Sequence, residues 1–159
     1  MHAKDVLKLV ASLAICQLVG FAGSLVTRPA IGEWYAALKK PAFNPPNWIF
    51  APMWLTLYVL MGVAAFLVWQ RGWDAAEVRR ALSLFAAQLL LNLLWSVLFF
   101  GLHSPLAALA DIALLLALIA STLVLFWRLV PAAGILFIPY LLWVGFAALL
   151  NAAIYWLNR

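Results

Sequence analysis

Long uninterrupted apolar runs dominate the chain, and most of its polar residues cluster between them. Four long stretches contain no charged residue: 9–27, 41–70, 81–110 and 129–158. With charges and Pro/Gly clusters taken as boundaries, the pattern predicts five spans at about 6–27, 47–70, 79–101, 105–127 and 132–157. About 20 residues at about 1.5 Å each cover the ~30 Å hydrocarbon core of a bilayer. Each predicted span is therefore long enough to cross a membrane as a helix.

Helices are the only elements that these spans can form. A bilayer offers no water to pair backbone N–H and C=O groups, so only helices and closed β-barrels cross it. The alternation of apolar and polar residues that barrel strands require is missing from the runs, which are rich in Leu and Ala. We therefore predict an all-α integral membrane protein. It is a five-transmembrane-helix bundle with a structured first loop, a single domain over residues 1–159.

Composition and charge agree with a membrane protein and exclude a soluble one. Hydrophobic residues make up 69% of the chain and charged residues only 9%, against roughly 25% charged in soluble domains. The net charge of +5 is scattered between the runs, without the basic cluster typical of nucleic-acid-binding proteins. We expect the lipid bilayer, and no nucleic acid, as the partner of these charges. The single cysteine, Cys16, excludes an internal disulfide and a cysteine-based zinc site.

The first connection, residues 28–46, is the only long one between spans and contains four prolines. Within residues 33–40, three residues share one side at helical spacing: Trp34, Ala37 and Leu38. This spacing predicts a short interfacial helix that Pro41 ends. A rigid, proline-rich return to the second span would hold this segment over the helix ends as a cap. The candidate functional residues of the capping loop are Trp34, Lys39 and Lys40.

Tryptophans mark the span ends and, in three cases, the span interiors. Six of the nine fall at or near predicted ends: Trp34, Trp48, Trp69, Trp73, Trp127 and Trp156. Amphipathic rings settle at the headgroup level of a bilayer, so their placement supports five spans. Trp54, Trp95 and Trp143 lie inside spans and require another explanation.

The charges between spans orient the protein only weakly. With the N-terminus inside, six Lys and Arg residues lie on the inner side and four on the outer side. The positive-inside rule favours this orientation, but the bias is small and both orientations stay open. An odd number of spans places the two ends of the chain on opposite sides of the membrane.

One face of the third span combines amides with aromatic rings. Four residues recur there at i, i+4, i+7 and i+11: Gln88, Asn92, Trp95 and Phe99. Two interpretations stay open. The amides pair with neighbouring helices for structural reasons, or the face forms a pocket wall that offers donors, acceptors and rings.

Aromatic residues with polar tips share faces on two further spans. The second span carries Trp54, Tyr58, Met61 and Ala65, and the fifth carries Pro139, Tyr140, Trp143, Ala147 and Asn151. Buried Trp and Tyr rings usually pack as core, and that interpretation stays open. The presence of such a face on three of the spans favours a ligand pocket. Pro139 would also free a backbone carbonyl one turn earlier on the fifth span.

Few acidic residues or histidines lie inside the predicted spans, where they could act on a bound ligand. Asp111 is the only acid well inside the apolar sequence, where a carboxylate costs about 2.5 to 3.5 kcal/mol on insertion scales. It is either paired for structure or has a proton or ligand role. His2 is terminal, His103 lies in a turn, and neither completes a known catalytic motif. We predict no metal site and no cofactor.

Several motifs follow one another in a fixed order along the chain. The first are Trp34-Tyr35 and Lys40-Pro41-x-Phe43-x-Pro45-Pro46-x-Trp48-x-Phe50. Later spans contain Ala87-Gln88 with Asn92, Trp95 and Phe99-Phe100-Gly101, then Leu109-Ala110-Asp111, then Pro139-Tyr140-Leu141-x-Trp143. This order covers nearly the whole chain and resembles a bacterial member of the TspO/MBR family. The family is also known as translocator protein, peripheral benzodiazepine receptor or tryptophan-rich sensory protein.

The resemblance implies a five-helix bundle, often dimeric, in a bacterial cell membrane, inner or outer, with a pocket near one membrane face closed by the first loop. It implies porphyrins, notably protoporphyrin IX or another tetrapyrrole, as ligands. Synthetic isoquinoline or benzodiazepine compounds are further ligands of the family. Its mitochondrial members also bind cholesterol, which adds sterol-like molecules to the expected ligands. The residues implied to bind ligand are Trp54, Tyr58, Gln88, Asn92, Trp95, Phe99, Tyr140, Trp143 and Ala147.

Two functions compete on this basis. The first is a receptor, sensor or carrier for porphyrins, with Arg28, Lys39 or Lys40 near the propionates. The alternative is a light- and oxygen-dependent porphyrin-degrading enzyme. Trp54 and Trp143 would be its catalytic residues, since they match two family tryptophans implicated in that reaction. A proton-coupled exporter would need an acid in the first span, which has none between residues 9 and 27.

Two weaker patterns concern a sterol site and a dimer. Leu150, Tyr155 and Arg159 fit the spacing of the family's sterol motif, although a Tyr and an Arg that anchor a helix end explain the same pattern. Ser83 and Ala87 form a small-x-x-x-small pair that allows close approach between helices. The pair predicts a homodimer interface on the third span.

Overall fold

The computed structural model describes residues 2–159 and consists of five long helices joined by short connections. The helices are α1 (Ala3–Ala30), α2 (Asn47–Trp69), α3 (Ala76–Ser96), α4 (Pro105–Leu129) and α5 (Pro131–Asn158). All five are long and apolar enough to cross a membrane. The predicted fold class, an all-α integral membrane protein of five transmembrane helices, is confirmed.

Two of the helices continue into a π-helical turn. α1 runs on through Ile31–Tyr35, and α3 runs on through Val97–Gly101. The two turns pack against each other, with the Tyr35 and Phe100 rings 5.7 Å apart. A π turn inserts a residue and rotates the side chains that follow it. Both turns therefore redirect aromatic residues toward one end of the bundle.

The first connection differs from its prediction. The chain stays helical through Pro29 and as far as Ala37, so the irregular segment covers only residues 38–46. Packing of aromatic residues after Pro29 against α3 outweighs the local signals that this proline and Gly32 give for a loop. The separate interfacial helix predicted within residues 33–40 is therefore wrong, because most of that segment extends a transmembrane helix.

Local sequence explains where the other helices begin. Pro105 and Pro131 lie in the first turn of α4 and α5, where an absent N–H leaves no hydrogen bond unmade. Ser104 Oγ accepts a hydrogen bond of 3.4 Å from the backbone N–H of Ala107 and caps α4. Gly72 in the turn between α2 and α3 has a φ of +104°, which favours glycine.

The helices pack around the bundle in the order α1, α2, α5, α4, α3, with α3 again beside α1. Gly62 permits a close crossing of α1 and α2, since a Cβ there would lie 3.0 Å from the Leu13 Cα. Toward the α2–α3 turn, rings fill the interior, with Phe126 5.8 Å from Phe85 and 5.3 Å from Phe137. The opposite half of the bundle contains a cavity.

Candidate functional site

A cavity of about 460 Å³ lies between α1, α2, α3 and α5, in the half of the bundle next to the first loop. Its volume falls within the ~300 to 1,000 Å³ typical of small-ligand pockets. Nine aromatic residues border it: Phe21, Tyr35, Phe50, Trp54, Tyr58, Trp95, Phe99, Phe100 and Trp143. A wall of this composition suits a flat and largely apolar ligand.

Most of the predicted ligand-binding residues meet at this cavity. Seven of the nine border it: Trp54, Tyr58, Asn92, Trp95, Phe99, Trp143 and Ala147. The structure thus brings together faces that lie on three different helices. Gln88 and Tyr140 do not border the cavity, and both are completely buried beneath it.

A chain of buried hydrogen bonds forms the floor of the cavity. The Tyr58 hydroxyl donates to Asn92 Oδ1 at 2.6 Å, and Asn92 Nδ2 donates to the Tyr140 hydroxyl at 3.0 Å. The Tyr140 hydroxyl donates in turn to Gln88 Oε1 at 2.6 Å. All four side chains are buried, where unpaired polar atoms are costly. Gln88 and Tyr140 therefore support the two floor residues, Tyr58 and Asn92, from below.

Two of the three interior tryptophans differ in how their rings are held. Trp54 on α2 packs against Tyr58, with ring centroids 5.7 Å apart. Trp143 on α5 packs edge-on against Phe50 at 5.9 Å. Its indole nitrogen is buried and has no hydrogen-bond partner within residues 2–159. Trp143 thus borders the cavity without a hydrogen bond that fixes its indole.

The third interior tryptophan, Trp95, is held by a hydrogen bond. Its Nε1 donates to Asn151 Oδ1 at 3.0 Å, and Asn151 Nδ2 donates to the Pro105 carbonyl at 2.8 Å. Trp95 also stacks on Phe99, with centroids 5.1 Å apart and planes 19° from parallel. The two rings form a rigid aromatic wall at the α3 side of the cavity.

α1 supplies a wall that sequence reasoning missed. Nine residues of α1 and its π turn border the cavity, and five of them recur at a spacing of three and four: Gln17, Gly20, Ser24, Thr27 and Ile31. Gln17 Nε2 donates to the Leu55 carbonyl at 3.3 Å, which ties the wall to α2. The spacing of small and polar residues was a usable signal. The same pattern is equally typical of simple helix packing in membranes.

Comparison with known proteins agrees with this geometry. A sequence profile described as the TspO/MBR family matches residues 12–157. The chain belongs to the TspO/MBR family. The resemblance inferred from the order of its motifs is confirmed.

Individual TspO/MBR proteins are similar to the chain over most of its length. "Tryptophan-rich protein TspO" of Chlorobaculum tepidum is 46% identical, over 98% of this chain and 98% of its own. "Translocator protein" of Bos taurus is 42% identical, over 84% of this chain and 80% of its own. "Tryptophan-rich sensory protein" of Cereibacter sphaeroides is 40% identical, over 87% of this chain and 84% of its own. Family membership supports a receptor or sensor role for this integral membrane protein.

The first of the three predicted capping residues, Trp34, lies behind the cavity wall and does not border the cavity. Trp34 stacks on His103, with centroids 4.5 Å apart and planes 11° from parallel. Its ring also meets the Phe99 ring edge-on at 5.4 Å. His103 adopts a φ of +52°, an uncommon conformation for a residue other than glycine. Trp34 thus braces Phe99 against the α3–α4 turn.

The two capping lysines also lie outside the cavity lining. The Lys39 backbone N–H donates to Asn158 Oδ1, and Asn158 Nδ2 donates to the Lys39 carbonyl, both at 2.9 Å. Lys40 Nζ donates to the Leu38 carbonyl at 3.1 Å and lies 4.7 Å from the centre of the Tyr35 ring. The basic residue that does border the cavity is Arg28, on the exposed rim of α1.

The three residues of the predicted sterol motif have different surroundings. Leu150 is buried and borders the cavity. Tyr155 is half-buried and meets Trp156 edge-on at 5.6 Å. The Arg159 guanidinium lies 3.6 Å from the centre of the Trp156 ring. Tyr155 and Arg159 thus pack on a tryptophan at the helix end, as expected of residues that anchor a helix end.

The remaining predicted positions lie on α3 and α4. Ser83 is exposed on the outer surface of α3 and Ala87 is half-buried, so the pair is only partly accessible to a second subunit. Asp111 on α4 is 8% exposed, and its Oδ2 atom has no hydrogen-bond partner within residues 2–159. It does not border the cavity, and neither of the two histidines does.

Proposed function

We propose that this protein is a membrane receptor or sensor that binds a porphyrin in the cavity between α1, α2, α3 and α5. The observation that carries the proposal is the convergence of Trp54, Trp95 and Trp143, from three helices, on one cavity. Protoporphyrin IX is the ligand to test first, because it is flat, largely apolar and aromatic on both faces. Other tetrapyrroles, sterol-like molecules and isoquinoline or benzodiazepine compounds are candidates for the same space.

The energetics of the cavity favour a ring system over an aliphatic ligand. Each Å² of apolar surface removed from water contributes about 25 cal/mol. Each well-placed aromatic pair adds about 0.5 to 1.5 kcal/mol beyond that area. These gains must offset about 4 to 15 kcal/mol of lost freedom on association. Several rings must therefore act together, and nine border this cavity.

The position of Arg28 at the cavity favours a ligand that carries an acidic group. Arg28 is the only charged residue among those that border the cavity in the described part of the chain. A guanidinium pairs with a carboxylate through two parallel hydrogen bonds. Protoporphyrin IX has two propionate groups at one edge, so the ring could enter the cavity while a propionate stays at the rim. Lys39 and Lys40 lie outside the lining and are weaker candidates.

A second candidate function uses the same cavity for porphyrin breakdown in light and oxygen. Trp54 and Trp143 both border the cavity, so both could contact a bound macrocycle. In this alternative the two tryptophans are catalytic and do more than shape the cavity.

The proposal includes a location and an assembly state. Close relatives from bacteria and an archaeon favour the cell membrane of a prokaryote as the location, and we propose a bacterial one. We further propose a homodimer that uses the Ser83 side of α3, because Ser83 is exposed there. The lipid bilayer covers the remaining apolar surface.

The test is a titration of the purified protein in lipid nanodiscs with protoporphyrin IX in the dark. Saturable quenching of tryptophan emission at micromolar concentration or below is expected. A variant with Trp54, Trp95 and Trp143 all replaced by Phe should lose most of the quenching, because none of the six tryptophans that remain borders the cavity. Failure of wild type to bind contradicts the proposal. Loss of pigment only under light and oxygen supports the enzyme alternative.

A further inference from the structure

Asn151 connects three helices at the wall of the cavity. It belongs to α5, accepts from Trp95 Nε1 on α3, and donates to the Pro105 carbonyl at the start of α4. The side chain is 1% exposed, yet it borders the cavity beside Trp95. A buried amide in this position fixes the relative placement of three helix segments.

The chemistry of its two partners leaves one orientation of the Asn151 amide. Indole nitrogen can only donate a hydrogen bond, and a backbone carbonyl can only accept one. The amide oxygen must therefore face Trp95, and the amide nitrogen must face Pro105. Rotation of the amide by 180° would break both bonds and leave buried polar atoms unpaired, at about 1 to 3 kcal/mol each. Asn151 is thus held firmly enough to hold another side chain.

The contacts of Trp95 restrain both the face and one edge of its indole. The ring stacks on Phe99 at 5.1 Å and meets Phe100 edge-on at 5.9 Å. Stacking on Phe99 restrains the face of the indole. The bond from Nε1 to Asn151 restrains the edge that carries the nitrogen.

We infer that Asn151 is a positioning residue: it fixes the plane and edge of Trp95 at the cavity wall and thereby sets the affinity for a flat ring ligand. The inference rests on the proposed function for the affinity, but the orientation of Trp95 is a property of the free protein. Asn151→Leu keeps the number and branching of the side-chain heavy atoms and removes both hydrogen bonds. Asn151→Ala removes them as well and serves if the leucine variant does not fold.

The first measurement is near-ultraviolet circular dichroism of the free protein. Asn151→Leu should change the tryptophan signal in the same direction as Trp95→Phe does. Trp95→Phe removes the fixed indole, and Asn151→Leu removes the hydrogen bond that fixes it. Asn158→Leu is the matched control, since this asparagine also lies on α5 but pairs with the Lys39 backbone and should leave the signal unchanged. Far-ultraviolet spectra check that each variant keeps its helices. A wild-type near-ultraviolet spectrum for Asn151→Leu overturns the inference.

The second measurement separates positioning from direct contact with the ligand. Asn151→Leu should weaken protoporphyrin IX binding about threefold to tenfold, the equivalent of one hydrogen bond. In a Trp95→Phe background the same change should have little further effect, because the indole that Asn151 holds is gone. An equal loss in both backgrounds would assign a direct ligand contact and overturn the inference. If wild type binds no porphyrin, the proposed function fails while the spectra still decide the role of Asn151.

Discussion

The Tyr140 hydroxyl on α5 donates a hydrogen bond of 2.6 Å to Gln88 Oε1 on α3, in a completely buried position. The same hydroxyl accepts from Asn92 Nδ2 at 3.0 Å. One oxygen atom thus joins two residues of α3 to α5 directly beneath the cavity. Removal of this hydroxyl would leave the Asn92 amide nitrogen and the Gln88 amide oxygen without this partner.

Tyr140→Phe should therefore destabilise the protein by about 1 kcal/mol, since buried hydrogen bonds in membrane proteins contribute about 0.6 to 2 kcal/mol. The measurement is the midpoint of unfolding in mixed micelles as the denaturing detergent fraction rises. Tyr155→Phe is the matched control, because Tyr155 lies half-buried at the end of α5 outside this network. Equal midpoints for both variants would contradict the role given to the Tyr140 hydroxyl.

Gly20 on α1 leaves the space that the Tyr58 ring occupies. A Cβ at Gly20 would lie 2.5 Å from Tyr58 Cε2, and Tyr58 cannot move freely because it is bonded to Asn92. Gly20→Ala should cost about 1 to 3 kcal/mol, as overpacking does in cores. It should also weaken ligand binding at the cavity floor.

The control for this change is Gly145→Ala on α5. A Cβ at Gly145 would meet no atom within 4 Å, and alanine is the better helix former by about 1 kcal/mol. The same unfolding assay should thus show Gly145→Ala at or above the wild-type midpoint. A Gly20→Ala variant as stable as Gly145→Ala would show that Tyr58 is not confined by α1.

Arg28 should discriminate between acidic and neutral forms of one ligand. Arg28→Gln is expected to weaken protoporphyrin IX binding about fivefold to tenfold, because it removes a charge-assisted hydrogen bond. Binding of the dimethyl ester, which has no carboxylate, should stay unchanged. Lys39→Gln is the control and should affect neither ligand. An equal loss for acid and ester would place the propionates away from Arg28.

The proposed homodimer depends on the outer surface of α3. Ser83→Leu combined with Ala87→Leu should yield monomers, because bulky side chains prevent close approach of two helices. Light scattering coupled to size-exclusion chromatography in detergent gives the mass of the protein part. Ser121→Leu on the exposed side of α4 should leave the dimer intact. A dimer that survives the double change uses another surface.

Sequence reasoning predicted the helices well because their signal is strong. Each span is a long apolar run, and α4 and α5 begin at Pro105 and Pro131, where an absent N–H is tolerated. The end of α1 was missed for a physical reason. Pro29 and Gly32 favour a loop locally, but packing of Trp34 against Phe99 keeps the chain helical.

The site was predictable only where side chains are distinctive. Asn92, Trp95 and Trp143 are rare residue types for a membrane interior, so their shared faces indicated a pocket. Gln88 looked equivalent to Asn92 in the sequence, yet it lies beneath the cavity, because one turn of helix separates the lining from its support. Gly20 gave no comparable signal, since a small residue on α1 explains helix packing equally well.

The most direct test of the porphyrin site is the affinity of two variants of Trp143. Trp143→Ala should weaken protoporphyrin IX binding about tenfold or more, or about 1.4 kcal/mol, because it removes a ring from the cavity wall. Trp143→Phe should keep most of the affinity, since it retains a ring that packs against Phe50. Trp127→Ala, on the exposed side of α4 and outside the cavity lining, should bind like wild type.

These titrations in nanodiscs in the dark, read by quenching of tryptophan emission, decide the central claim. The account predicts the order wild type, then Trp143→Phe, then Trp143→Ala, with at least about a tenfold range between the first and the last. Unchanged affinity for both Trp143 variants, or equal losses for Trp143→Ala and Trp127→Ala, would contradict a porphyrin site in this cavity.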